Sequence, residues 1–496
     1  MNGTHIYRRF AAVLGALFFL LTCNAPAYAD RPDDAKEKGT ALAGTTELDR
    51  EHYVDPNEYE QEPIEIPSLL IGLDFGENAL YDAAFVNANR QGFYLCRYDE
   101  ARELQPYAQT EANELHVCRL WRWHALLDQR FGSWDDARKS AQRVDGLAFT
   151  LDGEARVLVG SFDSEEKAAE EIEKRELQAK PWQDRASAVF DGSWQILDLI
   201  QEPAAVAFSC CGEGETLCYH GGEGYRGAFL LRPTGDGRFT VINVVSLEDY
   251  VKGVIPYEMN SLWPFEALRA QAVCARSYAA GHLNEYAEDY GFDLTNDTQS
   301  QVYRGVAEAD EVTDAAVDST AGLFVRYEGR LCEVYYFASD GGATEDGNRI
   351  FGVDQPYLAG KTDPFEQAVD RQILRWERWR SGEDIARALS RLGYEIGTVA
   401  DVNCVYSELG NVVGMNYTDE EGRTLRLETR DAYKFLSLNS ARFYVERDED
   451  GDFVFRGVGF GHNCGMSQWG AYAMADSYGY DCEDIIRFYF TGAYVA

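Results

Sequence analysis

The chain is poor in positive charge. Among its 496 residues, 46 Lys and Arg stand against 84 Asp and Glu, a formal net charge of −38. A surface of that sign repels phosphodiester backbones and anionic lipid, so nucleic acid is set aside as a partner. Histidine is also scarce, at seven residues, and no Cys-x-x-Cys occurs, so the usual spacing of a structural zinc site is missing. Long apolar runs are absent beyond residue 22, and the one run before it, Phe10–Thr22, is short for a bilayer span. Aromatic residues are not lacking, at 13%, and the apolar fraction of 45% is that of a folding chain.

The run that is present has a setting. Arg8 and Arg9 precede it, and Ala27-Tyr28-Ala29 follows as a small-residue cleavage site, so residues 1–29 read as a signal peptide. The reading makes the chain exported, with an uncleaved signal anchor as the alternative; lipidation at Cys23 is weaker, because Thr22 is large for that position. Of the 11 cysteines, one leaves with the signal, and the rest could pair in an oxidising exterior. Cys210, Cys211, Cys218 and His220 form the one local cluster. A disulfide, free thiols and a zinc site all stay open there, and the reading includes no metal and no cofactor.

Length suggests two to four domains at about 150 residues each. Residues 30–62 are acidic and aperiodic and read as a disordered linker. Residues 63–112 read as a small β element of unclear role. Between 113 and 190 a diverged repeat is visible: Gly132-Ser133-Trp134-Asp135 and Gly160-Ser161-Phe162-Asp163 each open a helix after a strand. Two βα halves on one antiparallel sheet are expected. The stretch EARVLVGSFDSEEKAAEEIEK resembles the second half of a SPOR domain, which implies binding to peptide-stripped glycan strands of peptidoglycan.

The region from 203 to 496 is organised around Phe239–Tyr278. A β-branched strand, Phe239–Val245, leads through a Ser246/Asp249 capping box into a short turn, Leu247–Lys252, which Gly253 is placed to end. Pro256 stiffens the loop that carries Glu258, and Pro264 starts a long Ala-rich helix over Phe265–Glu285. Glu258, flanked by Tyr257, Met259 and Trp263, is expected to be partly desolvated and to hold its proton near neutrality. Residues 364–447 look like an insertion, with helices over Asp363–Arg380 and Asp384–Leu392 that carry Trp376 and Trp379 as packing residues.

In order along the chain, VVSLEDYVKGVIPYEM, EALRAQAVCARSYA, DTQSQVYRG, SDGGATED, PYLAGKTDP, FRGVGFGHNCGMSQWGAYAMA and IIRFYFTG resemble the SpoIID/LytB family. The resemblance implies an α+β catalytic domain behind the SPOR-like βαβ module. It also implies a lytic transglycosylase that cleaves peptidoglycan glycan strands with Glu258 as its single catalytic acid. Hydrolytic glycosidases need two carboxylates; a lytic enzyme needs one, because the muramic 6-hydroxyl is an internal nucleophile. Substrate binding is expected from Arg269, Arg276, Ser277, Gln301 (with Tyr303), Tyr327, Ser339, His462, Gln468 and Tyr489. Asn463 stands where relatives carry glycine, which asparagine can do because it tolerates left-handed φ. Sporulation, a partner amidase and the cell wall complete what the resemblance implies. The rival readings are a non-catalytic amidase enhancer, and an ordinary glycosidase with Glu248, Asp249 or Glu266 as second acid.

Overall fold

The computed structural model describes residues 54–496, apart from 121–122, 152–153, 184–185, 370–371 and 373. The stretch read as a signal peptide and the first part of the acidic segment lie outside the described residues. Five strands come first: β1 (Leu69–Asp74), β2 (Asp82–Asn87), β3 (Phe93–Tyr98), β4 (Leu104–Thr110) and β5 (Glu114–Leu120). A β–α–β–β–α–β run follows, with β6 (Trp123–Leu127), α1 (Trp134–Arg143), β7 (Gly146–Leu151), β8 (Glu154–Phe162), α2 (Glu165–Lys174) and β9 (Ala179–Gln183). Next are β10 (Ala186–Asp191), β11 (Ile196–Gln201), β12 (Val206–Cys210), β13 (Cys218–His220), β14 (Glu223–Tyr225), β15 (Ala228–Pro233) and β16 (Phe239–Val245). Helices α3 (Leu247–Glu258) and α4 (Phe265–Gly281) lead to the short β17 (Leu294–Thr295). The class is α+β.

The strands form a seven-stranded sheet, β17-β1-β16-β15-β12-β3-β4, and a ten-stranded one, β14-β13-β2-β5-β10-β11-β7-β8-β6-β9. One apolar core joins Leu69, Ile71, Phe208 and Phe229 of the first to Phe85, Leu115 and Val117 of the second, and continues into Tyr250, Val254, Leu268 and Val273 of the helices. Residues 63–112 are therefore not a small separate element. Their strands are split between both sheets, and β1 pairs directly with β16, Leu70 opposite Val244. Residues 54–62 depart from the linker reading too: Glu62 donates its N–H to Gly329 (3.0 Å), and Gln61 Nε2 reaches the Tyr494 hydroxyl (3.0 Å).

The repeat folds as two βα halves on an antiparallel sheet, strand order β9-β6-β8-β7. Ser133 and Ser164 cap the two helices by accepting from Asp136 N–H and Lys167 N–H.

Two elements differ from the sequence expectation near the site. Helix α3 does not stop at Gly253 but runs on through Pro256 to Glu258. Gly253 serves packing, since a Cβ there would lie 2.4 Å from the Tyr303 ring. Residues Arg375–Arg380 form a strand, not a helix, with Trp376 buried and Trp379 exposed. The two tryptophans, three residues apart, suit a helix turn by spacing, but in the strand they fall on opposite faces. With Phe453–Val458, Phe443–Arg447, a second three-stranded sheet and the helix Gly382–Arg391, this strand builds an insertion with its own core.

Candidate active site

Helix α4 is the platform. It is rich in alanine, and thirteen of its seventeen residues are buried, so neighbours pack on it from all sides. Glu258, the last residue of α3, comes to rest half-buried against this platform. Gln468, the first residue of the helix Gln468–Tyr478, donates from Nε2 to Glu258 Oε2 at 3.1 Å. The Tyr336 hydroxyl approaches Oε1 at 3.4 Å.

Tyr336 is oriented by a directional chain. Tyr250 donates to Gln301 Oε1 (3.1 Å), Gln301 Nε2 donates to the Tyr336 oxygen (2.7 Å), and the Tyr336 proton is left to face Glu258. His462 fixes the backbone of the same residue. Its Nδ1 accepts from Cys464 N–H (3.2 Å), which leaves Nε2–H to donate to the Tyr336 carbonyl (3.0 Å). Asn463 adopts φ +63° and donates to the Asp340 and Ala343 carbonyls, holding the loop in place.

Removal from water pushes the Glu258 carboxyl up to about 7, against the two donors, which favour its ionised form. Neither donor is charged and both bonds are long, so burial wins. Beside it Trp263, Trp469 and Tyr472 form a partly exposed aromatic cluster, with ring centroids 4.7–5.4 Å apart. Below Gln468, Gln271 is fully buried; its Oε1 accepts from Gln468 (3.4 Å), and its Nε2 has no hydrogen-bond partner.

Three of the expected residues, Gln301, His462 and Gln468, thus converge on Glu258. The others lie elsewhere. Arg276 is wholly buried and bound to Glu248 through Nε (2.9 Å) and Nη2 (2.7 Å), with its remaining donors on backbone carbonyls. Arg269 pairs with Glu266 (2.9 Å), whose carboxylate also accepts from Cys482 N–H. Ser277 is buried between the Val273 carbonyl and the Val325 N–H. Tyr303 donates to Asn243 in the core, Tyr327 packs on Tyr357, and Tyr489 donates to Asp363 (2.6 Å). Ser339 is buried, its backbone bridged to Phe460. The residues sequence reasoning missed, Tyr336, Gln271, Trp469 and Tyr472, sit inside or beside the blocks that carried the resemblance, but only the fold brings them to Glu258.

Cys210 and Cys218 lie side by side in the core as free thiols, and Cys211 forms no disulfide either. His220 spends both ring nitrogens, on Asp74 (2.8 Å) and the Ala84 carbonyl (3.0 Å), which leaves none for a metal. Among the described residues no group of three or more His, Cys, Asp and Glu is arranged to hold a metal ion. Nor is any described helix long and apolar enough to cross a membrane.

Sequence comparisons define the class to which this chain belongs. A family profile described as "Stage II sporulation protein" (SpoIID) matches residues 235–327. Stage II sporulation protein D of Bacillus subtilis is 31% identical over 268 residues, covering 51% of this chain and 75% of its own. A Brachyspira hyodysenteriae protein without an assigned role is 33% identical over 54% of this chain and 71% of its own. The amidase enhancer of B. subtilis is 26% identical over 49% of this chain and 39% of its own. The chain belongs to the SpoIID family.

Proposed function

We propose that the protein is a peptidoglycan lytic transglycosylase in which Glu258 alone supplies acid and base. The observation that carries this reading is a solitary carboxyl, raised to about 7 by burial and held by two neutral donors. The glycosidase alternative needs a second acid, and its three candidates are committed elsewhere: Glu248 to Arg276, Glu266 to Arg269, and Asp249 to the Ser246 hydroxyl, which donates to its Oδ2.

Glu258 enters protonated and donates to the glycosidic oxygen as that bond breaks. Its carboxylate then accepts the proton of the muramic 6-hydroxyl, whose oxygen closes on C1 to give a 1,6-anhydro end. No water is consumed. Gln468 and the Tyr336 hydroxyl stabilise the carboxylate between the two transfers, and Trp263, Trp469 and Tyr472 offer apolar faces for sugar rings. The β–α–β–β–α–β module is read as the SPOR-like glycan binder, which would concentrate the enzyme on peptide-stripped strands.

The names of the Bacillus relatives support a role in sporulation and an amidase as partner; export and a place at the cell wall rest on the signal-peptide reading and the glycan substrate. The relative named amidase enhancer keeps one rival alive, a wall-binding protein without activity. Digestion of peptide-stripped strands, with mass spectrometry of the ends, separates them. The enzyme yields 1,6-anhydro ends that vanish in Glu258→Gln; the enhancer yields none.

A further inference from the structure

The insertion holds a feature out of keeping with so acidic a chain. An open groove of about 350 Å³ is lined by Trp379, Arg380, Arg387, Arg391 and Phe435, with Asp384 as the one acid. Elsewhere some arginines held by carbonyls, such as Arg156 and Arg326, are buried, and many others find carboxylates, as Arg276 finds Glu248 and Arg423 finds Asp419. Here they largely do not. Arg380 spends its guanidinium on the carbonyls of Trp379 (2.7 Å) and Leu436 (2.6 Å), and neighbouring Arg378 on the Glu377 carbonyl and Asn439. Arg387 is 3.5 Å from Asp384, and Arg391 forms no ion pair among the described residues. The groove therefore carries uncompensated positive charge beside a tryptophan that is 52% exposed.

An aromatic face with guanidinium forks beside it fits a sugar ring that bears a carboxylate. Resting on the lytic reading above, we infer that this groove binds the free lactyl carboxylate of muramic acid on peptide-stripped strands, away from the bond that Glu258 cleaves. The chemistry discriminates. While a stem peptide is attached, the lactyl group is a neutral amide and gives a guanidinium nothing to pair with; once the peptide is removed it is an anion. The insertion's core includes Ala338 and Phe460 and packs against Trp469, the neighbour of Gln468, so groove and site belong to one continuous body. A strand held at both would be selected for its missing peptides before it is cut.

The test is binding of the full chain, made inactive as Glu258→Gln, to peptide-stripped strands and to the same strands with their carboxylates amidated. Amidation, or the exposed pair Arg387→Ala/Arg391→Ala, is expected to weaken binding about five- to tenfold, with the difference shrinking as salt rises. Circular dichroism checks that the variant folds, and Trp379→Ala probes the groove without touching charge. Equal binding to native and amidated strands overturns the inference, as does a loss on amidation that the arginine variant does not reproduce. Stronger competition by poly(glycerol phosphate) than by the stripped strands also overturns it, and would assign the groove to a phosphate polymer. Anhydro ends from the Glu258-intact chain are scored separately, so a silent groove in an active enzyme is told apart from failure of the lytic reading.

Discussion

Two sets of raised carboxyls lie a residue apart in their contacts, and they behave differently. Gln468 serves Glu258, while its neighbour Ser467 reaches Glu366 at 3.3 Å. Glu366 belongs with Asp340 and Asp363 to a wholly buried group. There Asp363 accepts from the N–H groups of Phe365 and Glu366 and from the Tyr489 hydroxyl, and Asp340 accepts from Gly342 N–H at 2.6 Å. Burial and the neighbouring acids push Asp340 well up and raise Glu366. A raised carboxyl pKa alone therefore does not mark a catalytic group. The buried trio is closed by backbone donors and by its own members, and it fastens the insertion's root to the C-terminal helices. Glu258 is single, half-buried and loosely held, so its proton can leave toward a substrate.

The largest expected effect breaks this comparison on the catalytic side. Glu258→Gln should lower anhydro-end formation by roughly 10²–10⁴-fold, the usual share of a general acid–base group. Asp340→Asn should leave the pH profile of the residual rate unchanged in shape. Next comes the structural side: Asp363→Ala strips partners from two buried N–H groups and the Tyr489 hydroxyl, and should cost about 2–4 kcal/mol in denaturant unfolding.

Glu258→Gln should have the opposite effect on stability. Because the Glu258 pKa rises on folding from 4.5 to about 7, the native state loses stability as pH climbs through that window. The glutamine variant should thus be more stable than the parent by about 1–2 kcal/mol at pH 8, discounted for partial exposure, with the gap shrinking toward pH 4. The smallest effect is on the rate profile. On the lytic reading, anhydro-end formation should fall above about pH 7 as Glu258 loses its proton. Tyr336→Phe, which removes a donor to the carboxylate, should shift that limb upward by about half a unit.

Much of the setting of Glu258 was legible in the sequence, because it depends on local chemistry. The strand before Ser246, the capping box and the apolar neighbours of Glu258 all follow from residue type and spacing. What failed was tertiary. Gly253 and Pro256 look like a helix end, but the Tyr303 ring needs the glycine and the helix passes through both. Arg276 looks like a ligand for sugar oxygens, yet Glu248, 28 residues earlier, claims it in the core. Residues 63–112 look detached because β1, β2 and β3 each also pair with a strand more than a hundred residues on, β16, β13 and β12, and no local pattern encodes that pairing. Tyr336 and Gln271 carry no motif of their own, and only convergence on Glu258 reveals them.

The most direct measurement is digestion of peptide-stripped strands in water enriched in oxygen-18, with mass analysis of the new ends. A lone Glu258 that works through the muramic 6-hydroxyl predicts anhydro ends free of label. Labelled reducing ends would mean that water attacks and that a second carboxylate activates it, which contradicts the account.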